Sequence, residues 1–197
     1  MPPCGGRDDG SSPLDYALHT PPNRTLPMPT LHVCPLSKLH ETVTAVRPSH
    51  LVTLINVGTA VERPAGIAEG NHLFLGLSDI SAPMEGHVVP AEAHVERFLA
   101  FTRRWDRSAP LLIHCWAGIS RSTAAAYIAA CAFAPERDEA ELAARLRKAS
   151  PSATPNARLV AIADAMLGRD GRMRDAIAGI GRGADAFEGT PFALTWD

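Results

Sequence analysis

Residues 111–122 read Leu-Leu-Ile-His-Cys-Trp-Ala-Gly-Ile-Ser-Arg-Ser, and this order of residue types leaves few ways to fold them. The apolar run ending at Cys115 predicts a strand. Gly118 sits where a tight turn needs a residue without a side chain. The alanine-rich run from Thr123 to Phe133 predicts a helix. Five residues separate Cys115 from Arg121, the number needed to curl a backbone into a bowl whose N–H groups face a tetrahedral oxyanion. A helix starting near Ser122 brings its positive end beneath that bowl.

The chemistry of such a loop follows from its parts. A helix N-terminus, inward-facing amides and a guanidinium lower a thiol from about 8.5 to roughly 3.5–7.5, which predicts Cys115 as a standing nucleophile. The planar fork of Arg121 suits two oxygens of a phosphoryl group at once, where lysine would act as a point charge. The Ser122 hydroxyl is placed to donate to the sulfur when it departs, and His114 to orient the loop through backbone hydrogen bonds.

His-Cys, five residues, Arg, then Ser or Thr is the signature of the cysteine-dependent protein tyrosine phosphatase superfamily. The stretch His114, Cys115, Arg121, Ser122 resembles it in full. The likeness spans about Leu31 to Leu167 and points to the small dual-specificity branch. It implies a phosphomonoester hydrolase acting through a cysteinyl-phosphate intermediate, with no cofactor and no metal. In this reading Trp116, Ala117, Gly118, Ile119, Ser120 and Arg121 bind phosphate. The family's acid is an aspartate on a mobile loop before the cysteine, and the segment from Leu75 to Pro83 resembles that loop. It assigns Asp79 as general acid, against a simple turn aspartate, with Glu85 as nearest rival. Asp106 falls in a charged cluster with Arg103, Arg104 and Arg107 that reads as a solvated helix end. Pro151 to Asn156 resembles the later segment whose asparagine braces the phosphate loop. Asn156 is equally a helix cap. The family's aromatic residue and glutamine are absent after it, which leaves Arg158 without a matching role.

The rest of the chain supplies the scaffold. Its 197 residues, 46% hydrophobic with a net charge of −2, suit one well-buried domain and nothing basic enough for nucleic acid. Cys4, Cys34, Cys115 and Cys131 form no Cys-x-x-C pair, and His72, His87 and His94 no ligand pair at helical spacing, so neither a zinc site nor a disulfide framework is expected. A reducing cytoplasm fits, and neither a membrane span nor a signal peptide is predicted. Residues 1–28 read as a flexible leader, 29–167 as the phosphatase-like domain, and 168–197 as a glycine-rich C-terminal extension packing on it. Strands are predicted at 31–34, 51–56, 72–77 and 111–114. Helices are expected at 40–46, ended by Pro48, and at 90–105, 123–133 and 156–167, with another near 173–180. A further helix starts at a capping box of Asp138 and Glu141. The terminal Gly-Thr-Pro-Phe-Ala-Leu-Thr-Trp is expected to return as an arm. The fold class is therefore α/β, a central, mainly parallel sheet of four to five strands with helices on both faces and the phosphatase loop past a strand's carboxyl end.

Two other functions share parts of this pattern. A catalytically silent phosphate-binding module would keep the loop without turnover. Sulfur transfer, as in rhodanese-like domains, also uses a cysteine in an amide bowl, but with a shorter loop or a different strand context. As to substrate, the loop holds no lysine or histidine between Cys115 and Arg121. That favours a phosphorylated protein side chain or small aryl phosphate over an inositol phosphate, phosphotyrosine ahead of phosphoserine. Arg158, Arg172, Arg174 or Arg182 could reverse that preference by folding over the mouth. Oligomeric state is left open.

Overall fold

The computed structural model describes Met1 and residues 30–196, so the expected leader lies, Met1 apart, outside the described residues. Five strands form one sheet: β1 (Leu31–Pro35), β2 (His50–Ile55), β3 (His72–Gly76), β4 (Leu111–Cys115) and β5 (Phe192–Leu194). Their spatial order is β3-β2-β4-β1-β5, with β5 antiparallel to β1 and the other neighbours parallel. β2 and β4 are buried at every position, the continuous apolar habit of parallel strands covered on both faces.

Alternate side chains divide the interior in two. Leu31, Val33, Val52, Leu54, Leu111 and Ile113 join the larger core, under α2 (Glu92–Arg104), α3 (Arg121–Phe133), α4 (Glu139–Ala149), α5 (Ala157–Met166) and α6 (Arg172–Ile180). Cys34, Leu51 and Leu112 face a smaller one, closed by Leu39 of α1 (Leu39–Val46) and by Ile67. Helices thus cover both faces, unequally. In α3 every residue from Arg121 to Cys131 is buried, and its alanines let it lie close to the sheet.

One local expectation is corrected. The capping box at α4 is one-sided: the Asp138 carboxylate accepts from the Glu141 N–H at 2.9 Å, but the Glu141 side chain turns to Arg145 and Arg137. The C-terminal arm is a strand: Phe192–Leu194 adds to the edge of β1, and Trp196 is buried against Trp105 and Phe133. Among the described residues no helix is long and apolar enough to cross a membrane.

Candidate active site

β4 ends at Cys115, and α3 begins at Arg121. Between them the chain turns at Gly118, whose φ of +69° and close approach to the Cys34–Pro35 backbone exclude a side chain; a Cβ there would lie 2.7 Å from the Pro35 nitrogen. Four loop carbonyls are held from outside. Trp116 accepts from Leu36 N at 3.0 Å, Ala117 from Gly189 N at 2.7 Å, Ile119 from Thr154 N at 2.9 Å and Ser120 from Asn156 N at 3.3 Å. In a trans peptide the N–H points opposite to the carbonyl, so the amides of Ala117, Gly118, Ser120 and Arg121 turn inward.

At the centre lies the Cys115 sulfur, buried, 3.1 Å from Ser122 Oγ and accepting the Gly118 N–H at 3.3 Å. At the other two described cysteines burial pushes the Cys34 and Cys131 thiols up to about 12, leaving them unreactive packing groups. Arg121 is 4% exposed. Its Nη1 donates to Asn56 Oδ1 at 2.7 Å and to the Leu77 carbonyl at 2.8 Å, while its Nε makes no hydrogen bond. A buried guanidinium nitrogen left open at the edge of an amide bowl is an unfilled donor for an anion's oxygen.

Asp79 follows β3 on the loop that leads to α2. Its Oδ1 accepts from Ser120 Oγ at 2.7 Å and from Asn156 Nδ2 at 2.9 Å, and its Oδ2 lies 3.9 Å from Arg121 Nε. Ser120 stands at the N-cap position of α3 but makes no capping bond with its side chain, directing the hydroxyl to Asp79 instead. The loop closes on itself through Ser78 N to the Val88 carbonyl at 2.8 Å and a Ser78–His87 side-chain bond at 3.2 Å.

Cys115, Trp116, Ala117, Ile119, Ser120, Arg121 and Asp79 all line one open cleft of about 670 Å³. Gly118 and Ser122 lie buried beneath it. Neither Glu85 nor Asp106 lines this cleft; Asp106 instead accepts from Ser108 in its own exposed turn. His114 Nε2 meets Thr53 Oγ1 at 2.7 Å, and Thr53 also meets His72 Nε2 at 2.8 Å, so the hydroxyl donates to one ring and accepts from the other. Nδ1 has no partner at full hydrogen-bonding geometry. Burial holds the His114 imidazole down at about 4, a pull from the Cys115 backbone offsetting only part of that. Asn156 braces the loop with its backbone alone; its side chain caps α5, accepting from Leu159 N at 3.1 Å, and holds Asp79. Arg158 Nε donates to the Pro90 carbonyl at 2.6 Å, at the base of the acid-bearing loop.

Sequence reasoning missed Asn56 and Phe187, which also line the cleft. Asn56 was findable, since it directly follows β2 at the sheet's carboxyl end, where open α/β sheets collect their ligands. Phe187 arrives from the extension and carried no local signal. Among the described residues no group of three or more His, Cys, Asp or Glu is placed to hold a metal ion.

No protein-family model matches the sequence, and no curated protein matches it significantly. Solved structures do. The Cydia pomonella PTP-2 phosphatase is similar at TM-score 0.55 and 20% identity, over 68% of this chain and 84% of that one. Human DUSP28 gives 0.53 and 19% over 71% and 94%, and DUSP15 gives 0.56 and 14% over 78% and 91%. The chain is thus built on the fold of the small dual-specificity and protein tyrosine phosphatases.

Proposed function

We propose that this chain hydrolyses phosphomonoesters through a cysteinyl-phosphate intermediate. The observation that carries the reading is the convergence of Cys115, Arg121 and Asp79 on one cleft, with the sulfur at the centre of a bowl of inward-turned amides. The Cys115 thiolate attacks phosphorus, and the P–O bond to the leaving group breaks as Asp79 gives that oxygen its proton. The inward amides and Arg121 hold the three equatorial oxygens, a task of positioning and electrostatics. Asp79, now a carboxylate, takes a proton from water as that water attacks phosphorus; the S–P bond breaks, and the Ser122 hydroxyl donates to the departing sulfur. No step requires a metal.

Substrates of this reading carry one phosphate on an aryl or protein side chain. The arginines that could have argued for a polyphosphate stand elsewhere. Arg158 is tied to Pro90 and Arg172 to Glu139, while Arg174 and Arg182 line a separate groove between α5 and α6. Arg121 is the one arginine or lysine lining the cleft among the described residues. We assign residues 29–167 as the catalytic domain and 168–197 as an extension docked on it, working in a reducing, cytoplasmic setting that keeps Cys115 a free thiol.

The test is release of inorganic phosphate from an aryl phosphate, with and without a metal chelator. Wild type turns over in both, and Cys115→Ser loses turnover to background while still binding phosphate. Full activity in Cys115→Ser overturns the mechanism, and binding without turnover in wild type leaves a silent phosphate-binding module.

A further inference from the structure

The segment 183–189 of the C-terminal extension is fastened at both ends and carries an uncovered aromatic ring between them. At one end Gly183 N donates to Thr154 Oγ1 at 3.1 Å and Ala184 N to the Pro151 carbonyl at 2.9 Å. At the other, Gly189 N donates to the Ala117 carbonyl at 2.7 Å, and the Glu188 carboxylate accepts from Ser37 Oγ at 2.7 Å. Both glycines lie against backbone: a Cβ on Gly183 would come 2.5 Å from the Ser152 carbonyl, and one on Gly189 2.9 Å from the Gly118 carbonyl oxygen. Between these fixed points Phe187 is 93% exposed and lines the cleft that holds Cys115. Trp116, 58% exposed, lines the same cleft from the phosphate loop. Neither ring is paired with another aromatic ring among the described residues, whereas Trp105, Phe133 and Trp196 form a buried cluster.

A phenylalanine whose ring is almost wholly uncovered adds little to folding, yet here the backbone before it is fixed to residues 151–154 and the backbone after it to the phosphate loop. Resting on the phosphatase reading above, we infer that Phe187 is a specificity-determining residue: with Trp116 it supplies the apolar walls that take the aryl group of a phosphorylated phenol while Arg121 and the loop hold the phosphate. The aryl group leaves in the first step, so its contacts act on binding and on that step. The cysteinyl-phosphate that follows is the same for every ester. Phe187 therefore selects among substrates without touching the reacting atoms.

The experiment uses calorimetric binding of two non-hydrolysable ligands, phenylphosphonate and methylphosphonate, to the full chain. Wild type prefers the phenyl ligand. Phe187→Ala weakens phenylphosphonate about 3- to 10-fold, the scale of one aromatic contact, and methylphosphonate by less than about twofold. Phe187→Trp retains the preference, and Gly189→Ala, which pushes the segment off Gly118, loses it. Equal weakening of both ligands in Phe187→Ala, or no phenyl preference in wild type, overturns the inference. Phenyl phosphate hydrolysis by wild type is measured alongside. A phenyl preference that depends on Phe187 without any turnover sinks the phosphatase reading and leaves the aryl site standing.

Discussion

The loop over residues 115–121 and the loop over residues 78–90 meet in one cleft, but they are secured differently. The first has its carbonyls taken by backbone groups from three other parts of the chain, after β1, before α5 and in the C-terminal extension, and it sits between a buried strand and a buried helix. The second is held through side chains that meet at a single Asp79 oxygen, which accepts from Ser120 Oγ of the first loop and from Asn156 Nδ2 at the start of α5. A nucleophile must meet phosphorus along one line, whereas an acid must follow a leaving group of variable size. A fixed floor with a wall held by a few polar bonds meets both needs, and the difference can be tested by loosening each in turn.

The largest effect is expected at the wall's working group. Asp79→Asn keeps the size of the side chain and removes the proton, and should lower kcat by roughly 10²- to 10⁴-fold while flattening the alkaline limb of the pH–rate profile. Glu85→Gln, outside the cleft, should change kcat far less. Steady-state kinetics on an aryl phosphate across pH decides between them, and the reverse ranking would move the acid along the loop.

The floor should fail by unfolding rather than by chemistry alone. Gly118→Ala forces a side chain into a left-handed backbone already 2.7 Å from Pro35, and a loss of about 2–4 kcal/mol in denaturant unfolding is expected. Full stability in that variant would mean the loop is less fixed than its hydrogen bonds imply.

Beneath the floor, His114 makes stability depend on pH. Its imidazole sits at about 4 in the folded protein against an ordinary value of 6.5, so the unfolded chain binds more protons between the two. The stabilisation from keeping it neutral is fully present above 6.5 and is lost as pH falls towards 4, by about 3 kcal/mol in all. Burial shifts His32, His50 and His72 the same way. Unfolding by urea from pH 7 to 4.5 should show this slope, and His114→Asn should reduce it.

The smallest effect separates the two duties of Asn156. Asn156→Ala removes the α5 cap and one Asp79 bond together, costing about 0.5–2 kcal/mol of stability as well as activity. Asn156→Asp keeps a capping oxygen but sets a carboxylate beside Asp79, so stability should hold while the acid's apparent pKa in the kcat profile rises. A loss in Asn156→Ala with stability and pH–rate profile unchanged in Asn156→Asp would make the residue a cap alone.

What could be read from the sequence follows the same division. β4, the loop and α3 form one contiguous stretch whose chemistry is local, and the buried parallel strands announce themselves as apolar runs. Asp79 could be placed because its loop directly follows β3. What could not be read depends on partners far along the chain. β5 is three residues long, Phe-Ala-Leu, too short for a period, and is a strand only because β1 offers it an edge. The Asn156 side chain serves Asp79 because folding brings together residues 77 positions apart. His114 could not be assigned to Thr53 before β2 was known to lie beside β4.

The pairing of β5 with β1 sets an order of events during synthesis. Leu31 finds its partner Leu194 only after about 160 further residues have been made, and Gly189 reaches the Ala117 carbonyl just before it. Until then a nascent chain can close β1 on β4 but leaves the outer edge of β1 open, a template for pairing with another chain. The segment from Gly189 to Leu194 therefore both blunts the sheet against aggregation and finishes the cleft, so a chain stalled or clipped before it would be sticky before it could be active.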